Sequence, residues 1–126
     1  MGPIKLTASE WSVLDSLWQE NPQTVMQLVS KLGKTVGWAK STTITTLRRM
    51  EDKGLVLCQT QGRTKHYAPA VQRDRAVRGE TRSFLNKVYQ GSVGLMVSAL
   101  AQDKALSKAE IDELYEILRE AEEGEL

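Results

Sequence analysis

The stretch STTITTLRRMEDKGLVLCQTQGRTKHY, Ser41 to Tyr67, decides the reading of this chain. Its first half reads as a helix that ends at Gly54 and exposes hydroxyls and arginines instead of acids. Its second half reads as a short hairpin with Gly62-Arg63 at the tip. Hydroxyl and guanidinium groups donate hydrogen bonds to phosphates and base edges, where carboxylates would be repelled. A basic hairpin directly after such a helix offers a second point of contact on a duplex.

Working outward, Thr7-Ala8-Ser9-Glu10 has the form of a capping box, a hydroxyl followed three residues later by Glu. Trp11, Leu14, Leu17 and Trp18 follow at helical spacing, and Asn21-Pro22 stops that helix. Thr24 to Gln27 is a second capping box, with Val25, Leu28, Val29 and Leu32 as the apolar face and Gly33 as the expected end. Lys34 to Trp38 reads as a loop, with Trp38 anchoring it into the third helix and Ser41 as that helix's cap. Thr43, Leu47 and Met50 share one face, Ile44 sits at its edge, and Thr46 adds nothing apolar. So thin a buried face fits a helix held by neighbours with its other side outward. Leu55 to Thr60 and Thr64 to Ala68 are strand-like, and Pro69 closes the hairpin. Three helices and a hairpin in this order make a winged helix-turn-helix, expected over residues 1–70.

Beyond Pro69 the pattern changes. Gln72 to Tyr89 reads as one long helix with Val77, Phe84, Leu85 and Val88 on a stripe, broken at Gly91. Val93 to Ala101 is a short apolar helix that includes Leu95, Met96 and Leu100. Ser107 to Glu110 is a third capping box, opening a helix whose face is Ile111, Leu114, Tyr115, Leu118 and Ala121. Gly124 to Leu126 is expected to fray. Three helices of about 50 residues in all make a poor independent core. Residues 71–126 are therefore expected to form a dimerisation domain. Its interface would be Val77, Phe84, Leu85, Val88, Leu95, Met96, Leu100, Ile111, Leu114 and Leu118.

The net charge of +1 hides an asymmetry. Met1 to Val88 holds 14 basic and 7 acidic residues, whereas Tyr89 to Leu126 holds 3 basic and 9 acidic. The front is suited to a polyanion that would repel the back. Cys58 is the only cysteine, which excludes an intrachain disulfide and a cysteine metal cluster. No apolar run approaches the roughly 20 residues of a membrane span, and no secretory leader or myristoylation pattern opens the chain. A cytoplasmic protein without direct membrane contact is expected. One histidine, one cysteine and no phosphate-cradling glycine loop leave no visible triad, metal site or P-loop. The expectation is a protein that is not an enzyme and carries no cofactor.

The DNA-facing candidates are Lys40, Ser41, Thr42, Thr45, Arg48 and Arg49 on the helix at 39–53, with Arg63 and Lys65 on the wing at 61–65. Residues near the start of a recognition helix point into the major groove. Lys40 reads as a phosphate contact; which of the others read bases stays open. Arg63 and Lys65 suit phosphates or a narrow minor groove. His66 and Tyr67 read as packing residues. Arg73, Arg75, Arg78 and Arg82 are either a second DNA-facing row or partners for the acidic last helix of another subunit.

The chain resembles the penicillinase-repressor family, the winged-helix repressors of beta-lactamase and methicillin-resistance operons. The resemblance is carried by LTASEWSVLDSLWQENPQTVMQLVSKL from Leu6, by GETRSFLNKVYQGS at Gly79 to Ser92, and by the Leu-Ser-x-x-Glu-Ile-x-Glu-Leu pattern at Leu106 to Leu114. It implies a homodimer that binds an inverted-repeat operator and blocks transcription. It also implies release when a membrane sensor protease triggers a cut in the C-terminal domain. In the best-known members that cut falls at an Asn-Phe bond; the corresponding positions here are Ala99 and Leu100. Copper-responsive relatives carry a C-terminal cysteine cluster that this chain lacks. Two other readings remain at this point: a winged-helix regulator answering a small ligand, and a protein-interaction adaptor on the same fold.

Overall fold

The computed structural model describes residues 5–125; Met1, Gly2, Pro3, Ile4 and Leu126 lie outside them. The chain divides into two compact units, Met1–Thr81 and Arg82–Leu126. The elements run α1 (Ala8–Gln19), β1 (Gln23–Thr24), α2 (Val25–Val36), α3 (Lys40–Lys53), β2 (Val56–Gln61), β3 (Thr64–Pro69), α4 (Arg73–Tyr89), α5 (Val93–Gln102) and α6 (Lys108–Glu122).

All three capping boxes form. Thr7, Thr24 and Ser107 each accept from the amide three residues on, and Glu10, Gln27 and Glu110 reach back to the cap amide. These reciprocal bonds satisfy helix-end donors that have no partner inside the helix. Inside the first unit, Val13, Leu14 and Leu17 of α1 meet Leu28 and Leu32 of α2, Leu47 and Met50 of α3, and Val56 and Tyr67 of the sheet. Each such side chain contributes roughly 1.5–3 kcal/mol by leaving water.

Three sequence-based expectations need correction. α2 does not end at Gly33, and Lys34 to Val36 are helical, not loop. The helix stops at Gly37, which takes a left-handed φ of 72°, and the Trp38 amide closes back onto the Leu32 carbonyl at 3.3 Å. A glycine inside a helix costs about 1 kcal/mol, whereas the left-handed position at the end requires one. Ser41 is not a cap, because α3 starts at Lys40 and its cap position is Ala39, without a side-chain bond. The hairpin is also not alone. Gln23 and Thr24 pair with Tyr67 and His66, making a three-stranded antiparallel sheet of order β1-β3-β2.

That short strand is fixed by Gln23, which is buried. Its amide nitrogen donates to the Ser16 carbonyl at 3.0 Å and the Glu20 carbonyl at 2.7 Å. The turn of the β2–β3 hairpin is Gly62-Arg63, with Gly62 at φ 64°, a conformation only glycine adopts freely. The first half of α4 belongs to the first unit. Ala76 is fully buried, the Trp18 indole N–H donates to the Val71 carbonyl at 2.9 Å, and the Leu6 amide donates to Glu80 at 3.1 Å.

Candidate nucleic-acid interface

α3 presents two faces of opposite character. Thr43, Thr46, Leu47 and Met50 are buried, with the Thr46 hydroxyl donating to the Thr42 carbonyl at 2.7 Å. Lys40, Ser41, Thr42, Thr45, Arg48 and Arg49 are all exposed. Gly54, at φ 74°, ends the helix, the Leu55 amide closes onto the Met50 carbonyl at 2.9 Å, and the chain passes directly into β2. α3 and the β2–β3 hairpin are thus consecutive, joined through one hydrogen-bonded turn. Arg63 and Lys65 are exposed at the hairpin tip.

Electrostatically the face is open to an anion. Among the described residues no ion pair engages Lys40, Arg48, Arg49, Arg63 or Lys65. Two acids near α3 are engaged elsewhere, while Asp52 in its last turn is exposed. Glu10 is buried and takes Lys53 Nζ at 2.6 Å. Burial alone would raise the Glu10 carboxyl, but the Lys53 ammonium and the Thr7 amide outweigh it and hold the group below its ordinary value. Glu51 accepts from the Tyr67 hydroxyl at 3.0 Å; burial first, then that carboxylate, pushes the phenol above its ordinary value. These two contacts tie the C-terminal end of α3 to α1 and to the wing. Neither was legible in the sequence, since each joins residues from different elements.

Half-buried Trp38 packs against the core, and His66 is half-buried in the sheet between Thr24 and Gln59. Cys58, also half-buried, faces Tyr67 across the β2–β3 pair.

Comparisons with known proteins match this fold to a family. The penicillinase repressor family matches residues 6–120. The chain belongs to that family. It is 30% identical over 116 residues to the penicillinase repressor of Bacillus licheniformis, covering 92% of this chain and 91% of that one. It is 24% identical over 114 residues to the methicillin resistance regulatory protein MecI of Staphylococcus aureus (strain N315), covering 90% and 93%. Among solved structures, the DNA-binding domain of the repressor BlaI matches with a TM-score of 0.52 at 24% identity, over 56% of this chain and 87% of that one. The B. licheniformis BlaI monomer in complex with the blaP half-operator matches with a TM-score of 0.52 at 23% identity, over 59% and 90%. At these identities the structural likeness speaks to the fold, a winged helix. The chain is a transcriptional repressor of the penicillinase repressor family.

In this repressor the residues expected at a dimer interface fall in two places. Val77 is half-buried in the first unit. The others lie in the second, where no residue of α5 or α6 is buried. Phe84, Val88, Leu95, Leu100, Ile111 and Leu118 are exposed, Phe84 to 52% and Leu118 to 53%, and Leu85, Met96 and Leu114 are half-buried. Ala99 and Leu100 lie inside α5. Arg73, Arg75, Arg78 and Arg82 are exposed on α4, with Arg78 3.6 Å from Asp74. No described helix is long and apolar enough to cross a membrane.

Proposed function

We propose that this repressor is a cytoplasmic homodimer that sets α3 of each subunit into a major groove of an inverted-repeat operator and lays the wing on the flanking backbone. The observation that carries this reading is the α3 face, where six exposed donors from Lys40 to Arg49 stand without an acid among them and, among the described residues, without an ion pair. Phosphates and base edges are the acceptors such a face suits. Residues 1–70 supply the reading, and residues 71–126 couple two readers. The apolar side chains exposed on α4, α5 and α6 support the coupling, because a second copy is the simplest cover for them.

The relatives' names point to beta-lactam resistance genes as the regulated class, and we assign that class here. Relief follows when a membrane sensor protease triggers a cut between Ala99 and Leu100. That bond lies within a helix, so cutting it requires α5 to unwind locally first.

A gel-shift series on a duplex selected from genomic fragments tests the reading. If each dimer neutralises about 6 to 10 phosphates, affinity falls by roughly 10³ to 10⁵ between 50 and 200 mM salt. A flat salt dependence contradicts it.

A further inference from the structure

Beside α3 lies a notch of about 270 Å³ lined by Ser9 of α1 and by Ser41, Thr42, Thr45, Thr46 and Arg49. The lining is unusual in its chemistry: five hydroxyls, one guanidinium and no carboxylate. Thr46 spends its hydroxyl proton on the Thr42 carbonyl. Among the described residues, the side chains of Ser9, Ser41, Thr42, Thr45 and Arg49 make no hydrogen bond or ion pair within the chain. The neighbouring acid Glu10 is turned inward onto Lys53. The notch is therefore a set of donors around one fixed positive charge, which suits a singly charged oxyanion.

The position of the notch on α3 divides that helix. At about 3.6 residues per turn, Ser41, Thr45 and Arg48 stand opposite the buried side made by Thr43, Thr46, Leu47 and Met50. Thr42 and Arg49 stand on the shoulder towards α1, the side from which Ser9 closes the notch. We propose that this notch seats one backbone phosphate of the bound duplex, held by Ser9, Thr42 and Arg49, while Ser41, Thr45 and Arg48 face the base edges. The inference rests on the DNA-binding reading above and adds Ser9, from a different helix, to the interface. A phosphate seated there fixes how far α3 rolls in the groove, so the crest residues meet the same base pairs each time.

The test uses the full chain and two duplexes, one selected from a random pool by the wild-type protein and one scrambled. Arg49→Gln should weaken both by the same factor, on the order of 10-fold, and make the slope of log affinity against log salt shallower by about 1.8, one phosphate for each subunit of the dimer. Ser9→Asp, which puts a carboxylate into the notch, should also weaken both equally. Arg48→Gln should instead lower the selected-to-scrambled ratio by about 10-fold. A scan with neutral methylphosphonates placed at the matching position of both half-sites of the selected duplex then locates the phosphate. At one position per half-site the difference between wild type and Arg49→Gln should vanish. If wild type binds but no position removes that difference, or if Arg49→Gln erases the preference for the selected duplex, the notch proposal is overturned and the DNA-binding reading stands. If wild type retains neither duplex, the DNA-binding reading falls and the notch with it.

Discussion

Met1–Thr81 and Arg82–Leu126 are built from helices of similar length, yet they solve the burial problem in opposite ways. The first unit closes on itself: Leu14, Leu17, Leu28 and Met50 have no exposure at all. In the second, Phe84, Leu95, Leu118 and Tyr115 remain more than half exposed, Tyr115 to 71%. The difference follows from layers. Three helices and a sheet enclose a core, whereas the helices at the end of this chain present apolar stripes with too little chain to cover them. The polar surfaces differ as well. Among the described residues, the first unit keeps Lys40, Arg48 and Arg49 of α3 and Arg63 and Lys65 of the hairpin tip out of ion pairs, while the second pairs Lys108 with Asp112 and Arg119 with Glu123 along α6.

If the first unit carries its own core, Leu14→Ala should destabilise it by about 2–5 kcal/mol, the usual cost of a cavity at a fully buried leucine. Chemical denaturation should show the same loss at every protein concentration. The matching change in the second unit should behave differently. Phe84→Ala should raise the dimer dissociation constant by roughly 30-fold, about 2 kcal/mol, and make thermal unfolding depend more strongly on concentration. A concentration-independent effect there would place Phe84 outside the interface.

A third change sharpens the contrast within the first unit. Lys53→Ala should cost about 1–2 kcal/mol at neutral pH, because it leaves the buried Glu10 carboxylate without its main partner; Lys53 itself is half exposed, which limits the loss. Glu10 is held below its ordinary value in the folded protein. Its stabilising contribution is therefore present above the unfolded value of about 4.3 and is lost as pH falls through the folded one. The difference between wild type and Lys53→Ala, followed by urea unfolding at several pH values, should shrink below about pH 4. The smallest effect is expected at the wing tip. Gly62→Ala should cost about 1 kcal/mol, because the turn holds φ at 64° and nothing crowds the position.

Much of this division was legible in the sequence. The capping boxes at Thr7, Thr24 and Ser107 marked three helix starts, since the pattern is local and its hydrogen bonds are reciprocal. The exposed face of α3 followed from the spacing of Thr43, Leu47 and Met50 on its buried side. Three things were not legible. β1 is only two residues long, too short for any periodicity, and it exists because Gln23 anchors it from behind. The end of α2 was misplaced because Gly33 and Gly37 are equally good glycines by composition, and only the closure of Trp38 onto Leu32 chooses between them. The contacts of Lys53 with Glu10 and of Tyr67 with Glu51 join residues far apart in sequence, as does the approach of Ser9 to Arg49.

The most direct single test is sedimentation velocity of the full chain with a selected duplex. A free species of twice the chain mass and a saturated complex of two chains per duplex are expected. A chain that sediments as one copy throughout, or that saturates the duplex singly, contradicts the homodimer reading.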